Sequence, residues 1–254
     1  MLPLLSILVL LPAVAALLCL AAGGEKAARG IALLAASLSL LVALAALAGF
    51  DAGRGDFQLV QRTAWIPGLG VEWHLGVDGL SILFLPATTL LFLAALIVTG
   101  RGLSPAPGLH YACVLLLECA TLGIFCALDT LLFFFFWELT LLPLYCLVGL
   151  WGLAGSGARA ATRYFLLMLG GGVPVLLAFL VLASHAGMAF DLPSLLAATP
   201  SRDTQILVFL LFVIGFGVKV PLVPLHTWLP SLALGGPAAV TALVVGMKLG
   251  VYGL

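Results

Sequence analysis

The stretch LLLECATLGIFCALDTLLFFFFWELTLLPLY, residues 115–145, decides the class of this chain: two apolar runs meet at Ala127-Leu-Asp129, and the charged side chains are Glu118, Asp129 and Glu138. Runs of about 20 apolar residues match a hydrocarbon layer about 30 Å thick. Unpaired backbone groups are intolerable there, so both runs are read as helices rather than buried strands. Asp129 opens the second run, and Glu138 follows nine residues later, about 13 Å into the layer at about 1.5 Å per residue. Glu118 lies eight residues beyond His110 and is similarly deep. An acidic or basic residue at the centre of a membrane helix costs about 2.5–3.5 kcal/mol, and such residues usually mark an ion or proton path. The structural alternative for each is a protonated carboxyl that serves helix packing alone.

Working outward, the whole chain has the same character. Of its 254 residues 64% are hydrophobic and 8% charged, ten basic against ten acidic, and the mean hydropathy is +1.30. A water-soluble core could not hide this much apolar surface. The chain is read as an all-α polytopic membrane protein in the lipid bilayer, with about eight transmembrane helices at roughly 3–22, 30–50, 78–100, 110–128, 130–151, 162–183, 206–229 and 235–254. Met1 to Ala22 is taken as the first span, because Lys26 and Arg29 follow the apolar stretch instead of preceding it, the wrong polarity for a cleaved signal. The connections 51–77 and 184–205 are rich in Gly, Pro, Asp and Arg, and Trp65 and Trp73 fit interfacial anchors. Asp78 is placed to cap the third span. Gly170 to Gly172 with Pro174 predict either a kink in the sixth span or a close helix contact.

Charge fixes orientation and excludes some functions. Lys26, Arg29, Arg101, Arg159 and Arg163 fall in one set of loops, and Arg54, Arg62 and Arg202 in the other. Five against three puts the first set in the cytoplasm and the N-terminus outside. The absence of a basic run removes the footprint of a nucleic-acid binder. Cys19, Cys113, Cys119, Cys126 and Cys146 lack CxxC or Cys/His spacing, so no metal or iron–sulfur site is read; they are small packing residues.

Three more polar residues sit inside apolar sequence. Lys219 stands in GFGVKVPLVP, residues 215–224, where Pro221 and Pro224 lack the N–H groups that would bond to the carbonyls of Gly217 and Val220. The seventh helix is therefore expected to be discontinuous at Lys219–Pro221, with freed carbonyls beside an amine, as where broken helices line an ion site. Lys248 lies eleven residues past Pro237, about 16 Å along a helix. His226, beside Trp228 after the break, is a proton carrier at neutral pH or a hydrogen-bonded structural group. His74, His110 and His185 fall in loops or at helix ends and are expected to be wetted bystanders.

The segment 115–145, then Trp151-Gly, Val218-Lys-Val-Pro, Leu225-His-Thr-Trp-Leu-Pro230 and Lys248-Leu-Gly-Val-Tyr-Gly253, with Gly76-Val-Asp-Gly-Leu-Ser81 before the third span, resembles the antiporter-like membrane subunits of respiratory complex I, most closely the M type. The resemblance implies a proton-translocating subunit of an NADH or related donor:quinone oxidoreductase, with redox chemistry in other subunits and no cofactor in this chain. It implies further antiporter-like and other membrane subunits as partners, and a bacterial inner membrane. Glu138 matches the family's membrane glutamate, Lys219 its broken-helix lysine, Lys248 the lysine that relays protons onward, Glu118 a further acidic position and His226 the broken-helix histidine. The resemblance divides the chain into a three-helix segment, 1–109, and a first half-channel repeat, 110–254. Family members run to about twice this length with an inverted second repeat, so this chain reads as an N-terminal part. They also commonly carry an Asp-Ala-His-like segment where Ser231-Leu-Ala-Leu-Gly-Gly236 stands here without polar character. The alternatives are an Mrp-type cation/proton antiporter subunit, which shares the Glu and broken-helix Lys pattern, and a truncated scaffold that does not pump.

Overall fold

The computed structural model describes residues 3–99, 102–103, 105–247 and 249–253. In chain order the elements are α1 (Leu4–Leu20), α2 (Glu25–Ala48), β1 (Gln58–Ile66), β2 (Val71–Val77), α3 (Ser81–Val98), α4 (Pro107–Cys126), α5 (Thr130–Leu139), α6 (Leu141–Trp151) and α7 (Gly157–His185), followed by α8 (Leu192–Ala197), α9 (Arg202–Lys219), α10 (Trp228–Gly235), α11 (Ala238–Gly246) and α12 (Leu249–Gly253). Among the described residues, five helices are long and apolar enough to cross a membrane: α2, α3, α4, the near-continuous α5–α6 from Thr130 to Trp151, and α7. The chain is an integral membrane protein, mostly helical.

Helix α4 is the axis. Sixteen of its twenty residues are buried, as expected of a helix that is apolar all round, and α1, α2, α3, α5 and α6 pack against it. The outer helices bury one face only. On α2 that face is a stripe of small residues, Ala28, Ala32, Ala35, Ala36, Ser39, Ala43 and Ala46, which lets backbones approach closely where lipid supplies no hydrophobic drive between helices. Gly108 makes the same allowance on α4, since a Cβ there would come within 2.6 Å of the Cys19 carbonyl oxygen. The opposite faces carry Leu34, Leu41, Val14 and Leu17, exposed to the surrounding medium.

The connection 51–77 corrects the all-α reading. It forms an antiparallel hairpin of β1 and β2, pairing Arg62 with His74 and Ala64 with Glu72, around a Pro67–Leu69 turn that Gly70 closes at φ +67°. The hairpin is stitched into the bundle. Leu128 N–H donates to the His74 carbonyl at 2.8 Å, and the same 128–130 segment also ties in the 184–205 connection, with Thr130 N–H donating to the Phe190 carbonyl at 2.8 Å and Leu192 N–H to the Leu128 carbonyl at 2.7 Å. Gly76 lies so near Leu128 that a Cβ would meet its Cδ1 at 2.5 Å. Trp73 Nε1 donates to Ser6 Oγ at 2.8 Å and so pins the hairpin to α1.

Two histidines expected to be wet are buried: His74 is 4% exposed because the hairpin folds down on residues 127–129, and His110 is 3% exposed beneath the Trp151 ring. His185 is exposed. Asp78 Oδ1 accepts from Ser81 N–H at 2.7 Å and Leu80 N–H at 3.1 Å, capping α3. The glycine run on α7 makes a close contact within an unbroken helix: a Cβ on Gly171 would meet Val218 Cβ at 2.8 Å, and one on Gly215 would come within 2.8 Å of the Gly171 carbonyl oxygen.

Candidate functional site

Asp129 starts the element that carries Glu138. Its Oδ1 accepts from Leu131 N–H at 2.9 Å and Leu132 N–H at 3.0 Å, satisfying orphan donors of the first turn of α5. Its Oδ2 accepts from Glu72 N–H at 3.1 Å, so the same carboxylate holds the hairpin. Glu138 follows nine residues on, and two residues later α5 gives way to α6 at Thr140, three residues before Pro143, which lacks the N–H that would bond to the Leu139 carbonyl.

Lys219 reaches this joint from the last residue of α9. Its Nζ donates to Thr140 Oγ1 at 3.0 Å and to the Trp137 carbonyl at 3.2 Å, and it lies 3.8 Å from the centroid of the Trp137 ring, where the ring face attracts a cation. Thr140 Oγ1 in turn donates to the Trp137 carbonyl at 2.8 Å. Phe216, one turn back on α9, packs edge-on to Trp137 at 5.0 Å. Glu138 points to α7, where its Oε1 occupies the space that a Cβ on Gly172 would need; that oxygen is buried with no hydrogen-bond partner among the described residues. No ion pair within 4.0 Å joins Glu138 to Lys219. The lysine is held instead by Trp137, next to the glutamate, and by Thr140, two residues beyond it.

A cavity of about 130 Å3 opens beside Lys219, with Thr140, Tyr164, Pro221 and Trp228 in its wall and apolar side chains from α6, α11 and α12 around them. A water needs about 10–15 Å3 of such space and two to four polar partners, so several fit. After Lys219 the chain turns, and of the two carbonyls expected to be free, Gly217 and Val220, the first finds a partner. Gly217 O accepts from Leu222 N–H at 2.9 Å, and Val218 O accepts from Trp228 Nε1 at 2.8 Å. The Gly217 carbonyl is thus recaptured locally.

The other expected residues lie apart from this cavity or outside the described residues. Glu118 on α4 is 0% exposed, and neither oxygen has a hydrogen-bond partner among the described residues; Ser39 on α2 is its polar neighbour. His226 sits in the Leu225–Thr227 turn, half-buried, with Nδ1 unpartnered among those residues. Neither it nor Pro224 lines the cavity. Lys248 lies outside the described residues. Sequence reasoning missed Thr140, Tyr164, Gly172 and Trp228. Thr140 and Trp228 carried a local signal, since they stand within the Trp-Glu-Leu-Thr and Leu-His-Thr-Trp-Leu-Pro motifs, and Gly172 belongs to the glycine run read as a close helix contact; Tyr164 carried none. The described residues contain no group of three or more His, Cys, Asp or Glu placed to hold a metal.

Comparison with known proteins matches residues 127–254 to the family described as NADH:quinone oxidoreductase/Mrp antiporter, TM. NAD(P)H-quinone oxidoreductase chain 4 1 of Picosynechococcus sp. is 42% identical over 212 residues, which are 81% of this chain and 39% of that one. Among solved structures, a chain of respiratory complex I from Thermus thermophilus with bound NADH superposes with a TM-score of 0.86 at 32% identity, over 98% of this chain and 51% of that one. The Mrp complex from Dietzia sp. shares the fold, with a TM-score of 0.82 at 22% identity over 98% of this chain and 27% of its counterpart. The chain spans about half or less of the length of the curated relatives it matches. With its second half matched by the family model and the whole of it superposing on a complex I subunit, this chain belongs to the NADH:quinone oxidoreductase/Mrp antiporter transmembrane family.

Proposed function

We propose that this chain is the proton-translocating part of an antiporter-like subunit in an NADH or related donor:quinone oxidoreductase. Protons pass from the Glu138–Lys219 site toward Lys248 while electrons move in other subunits. The observation that carries the reading is Lys219 bound to Trp137 and Thr140, on either side of Glu138 in the chain, while it borders a cavity with room for water. An ammonium held by neutral oxygens beside a cavity that admits water can pass its proton to that water. The unpartnered Glu138 oxygen leaves a nearby carboxylate free to approach or withdraw, so a modest change of the α5–α6 joint alters which group holds the proton.

The finer reading goes with it. The chain makes eight spans with a discontinuous seventh, and 1–109 flanks a first half-channel, 110–254. Glu118 and His226 act as additional proton carriers, with Pro221 and Pro224 at the break. The N-terminus faces outward in a bacterial inner membrane, redox centres lie in other subunits, and the partners are other membrane subunits, further antiporter-like ones included. The names of the relatives and the shared family support complex I membership. The Mrp-type antiporter reading draws on the same family description; co-purification with iron–sulfur and quinone-reducing subunits separates the two.

In the intact complex, Glu138→Gln and Lys219→Ala are each expected to cut proton pumping by about a hundredfold, the low end of what a lost proton-transfer group costs, while assembly persists. Normal pumping in both variants would end the proposal.

A further inference from the structure

Between Lys219 and the hairpin end of the bundle, five aromatic rings from three helices close into a circuit. On α5, Phe133 stacks on Trp137 with ring centroids 5.7 Å apart; Trp137 meets Phe216 of α9 at 5.0 Å, and Phe216 stacks on Phe212 at 5.3 Å. Phe212 then meets Phe179 of α7 at 5.3 Å, and Phe179 returns to Phe133 at 5.9 Å. A brace crosses the circuit from Phe133 to Phe216 at 6.3 Å. Every separation falls in the range where aromatic pairs attract. Trp137, Phe216 and Phe179 are buried, and Phe133 and Phe212 are half-buried.

The circuit lies to one side of the amine. Phe133 stands one turn before Trp137, toward Asp129 and the hairpin N–H that Asp129 binds. Phe212 stands seven residues before Lys219, and Phe179 seven residues beyond the Glu138 seat at Gly172. The water-sized cavity, with Thr140, Tyr164 and Trp228 in its wall, lies to the other side. Four of the five rings have no hydrogen-bonding atom, and the stretches that carry the circuit, 131–137, 173–183 and 206–218, hold no charged, hydroxyl or amide side chain. Water entering here would find little to replace its hydrogen bonds, and apolar constrictions of this kind close pores by dewetting. We infer that the five rings form a seal that bars water and protons from Lys219 on the hairpin side, so that the amine exchanges protons only through the Thr140–Tyr164 cavity. The seal rests on the reading of Lys219 as a proton carrier and adds the side from which it is served.

The test is the resting leak of the intact complex in liposomes under an imposed pH gradient, with neither electron donor nor quinone added. Wild type should hold the gradient, whereas Phe212→Ala and Phe216→Ala should each dissipate it about tenfold faster, a barrier lowered by about 1.4 kcal/mol. Phe212 is half-buried, so its truncation keeps the test decisive if Phe216→Ala fails to assemble. Phe92→Ala is the control, because Phe92 is 0% exposed on α3 and its loss opens a core cavity away from the circuit. It should not leak, and a leak equal to that of the circuit variants would mean general loosening and overturn the seal. Adding Lys219→Ala to Phe212→Ala separates the two claims: a leak that disappears supports both, and a leak that persists supports the seal while ending the role of Lys219 as carrier. If neither Phe212→Ala nor Phe216→Ala leaks in assembled complex, the inference is overturned.

Discussion

Lys219 is fastened to the oxygens of Trp137 and Thr140, on either side of Glu138, and the glutamate Oε1 lies buried against α7 with no hydrogen-bond partner among the described residues. Gly172 makes that seat possible, because a side chain there would occupy the position of Glu138 Oε1. Gly172→Ala should therefore displace the carboxylate and depress proton pumping in the assembled complex by about tenfold or more, as small misplacements of a reacting group do. Gly170→Ala is the matched control, since nothing lies within 4 Å of its added Cβ. Equal pumping by the two variants would refute the seating of Glu138 on Gly172. That Glu138 and Lys219 stand on apolar helices was legible from the apolar sequence around them. Their surroundings were not: the partners of Lys219 stand 79 and 82 residues earlier in the chain, and a single sequence holds no rule for which faces of α5 and α9 meet.

Among the elements, the hairpin is where sequence and structure part. Composition alone marked 51–77 as a loop, although Pro67-Gly-Leu-Gly70 between apolar-polar alternations is a turn signal. The helices were easier to read, since a run of about 20 apolar residues has one solution in lipid. The hairpin brings His74 beside Arg62, Glu72, Asp129 and Asp191. Burial, and then the Arg62 charge, hold the imidazole below its ordinary value of 6.5. The folded state thus prefers neutral His74, and the unfolded hairpin takes up the proton first. The stability this contributes is whole above about pH 6.5 and is lost as the pH falls from there through the lowered value. The hairpin hydrogen bonds should show faster amide exchange at pH 5.5 than at pH 7.5, after correction for intrinsic rates, and His74→Gln should flatten the difference. A wild-type hairpin indifferent to pH over that range would contradict this account. Asp191 is also held below its ordinary range, against the cost of its burial, by the Ser194 side chain and N–H and by Arg62, but it titrates in a lower window.

For the molecule as a whole, the small-residue face of α2 sets how closely that helix seats against the bundle around α4. Ala36 on α2 is 0% exposed and Leu41 is 61% exposed. Ala36→Leu should lower stability by about 1–3 kcal/mol through overpacking, seen as an earlier thermal transition in detergent, whereas Leu41→Ala should shift it little. A tolerated Ala36→Leu would mean that α2 is more loosely seated than its buried alanine stripe implies. The enclosure of α4 reaches further still. A helix wrapped on all sides has no face on which residues can drift singly, so changes along it must arrive together with changes in α1, α2, α3, α5 or α6. In an alignment of relatives, inherited variation on α4 would therefore appear as covarying pairs, while the outward side of α7 would record mutation one site at a time.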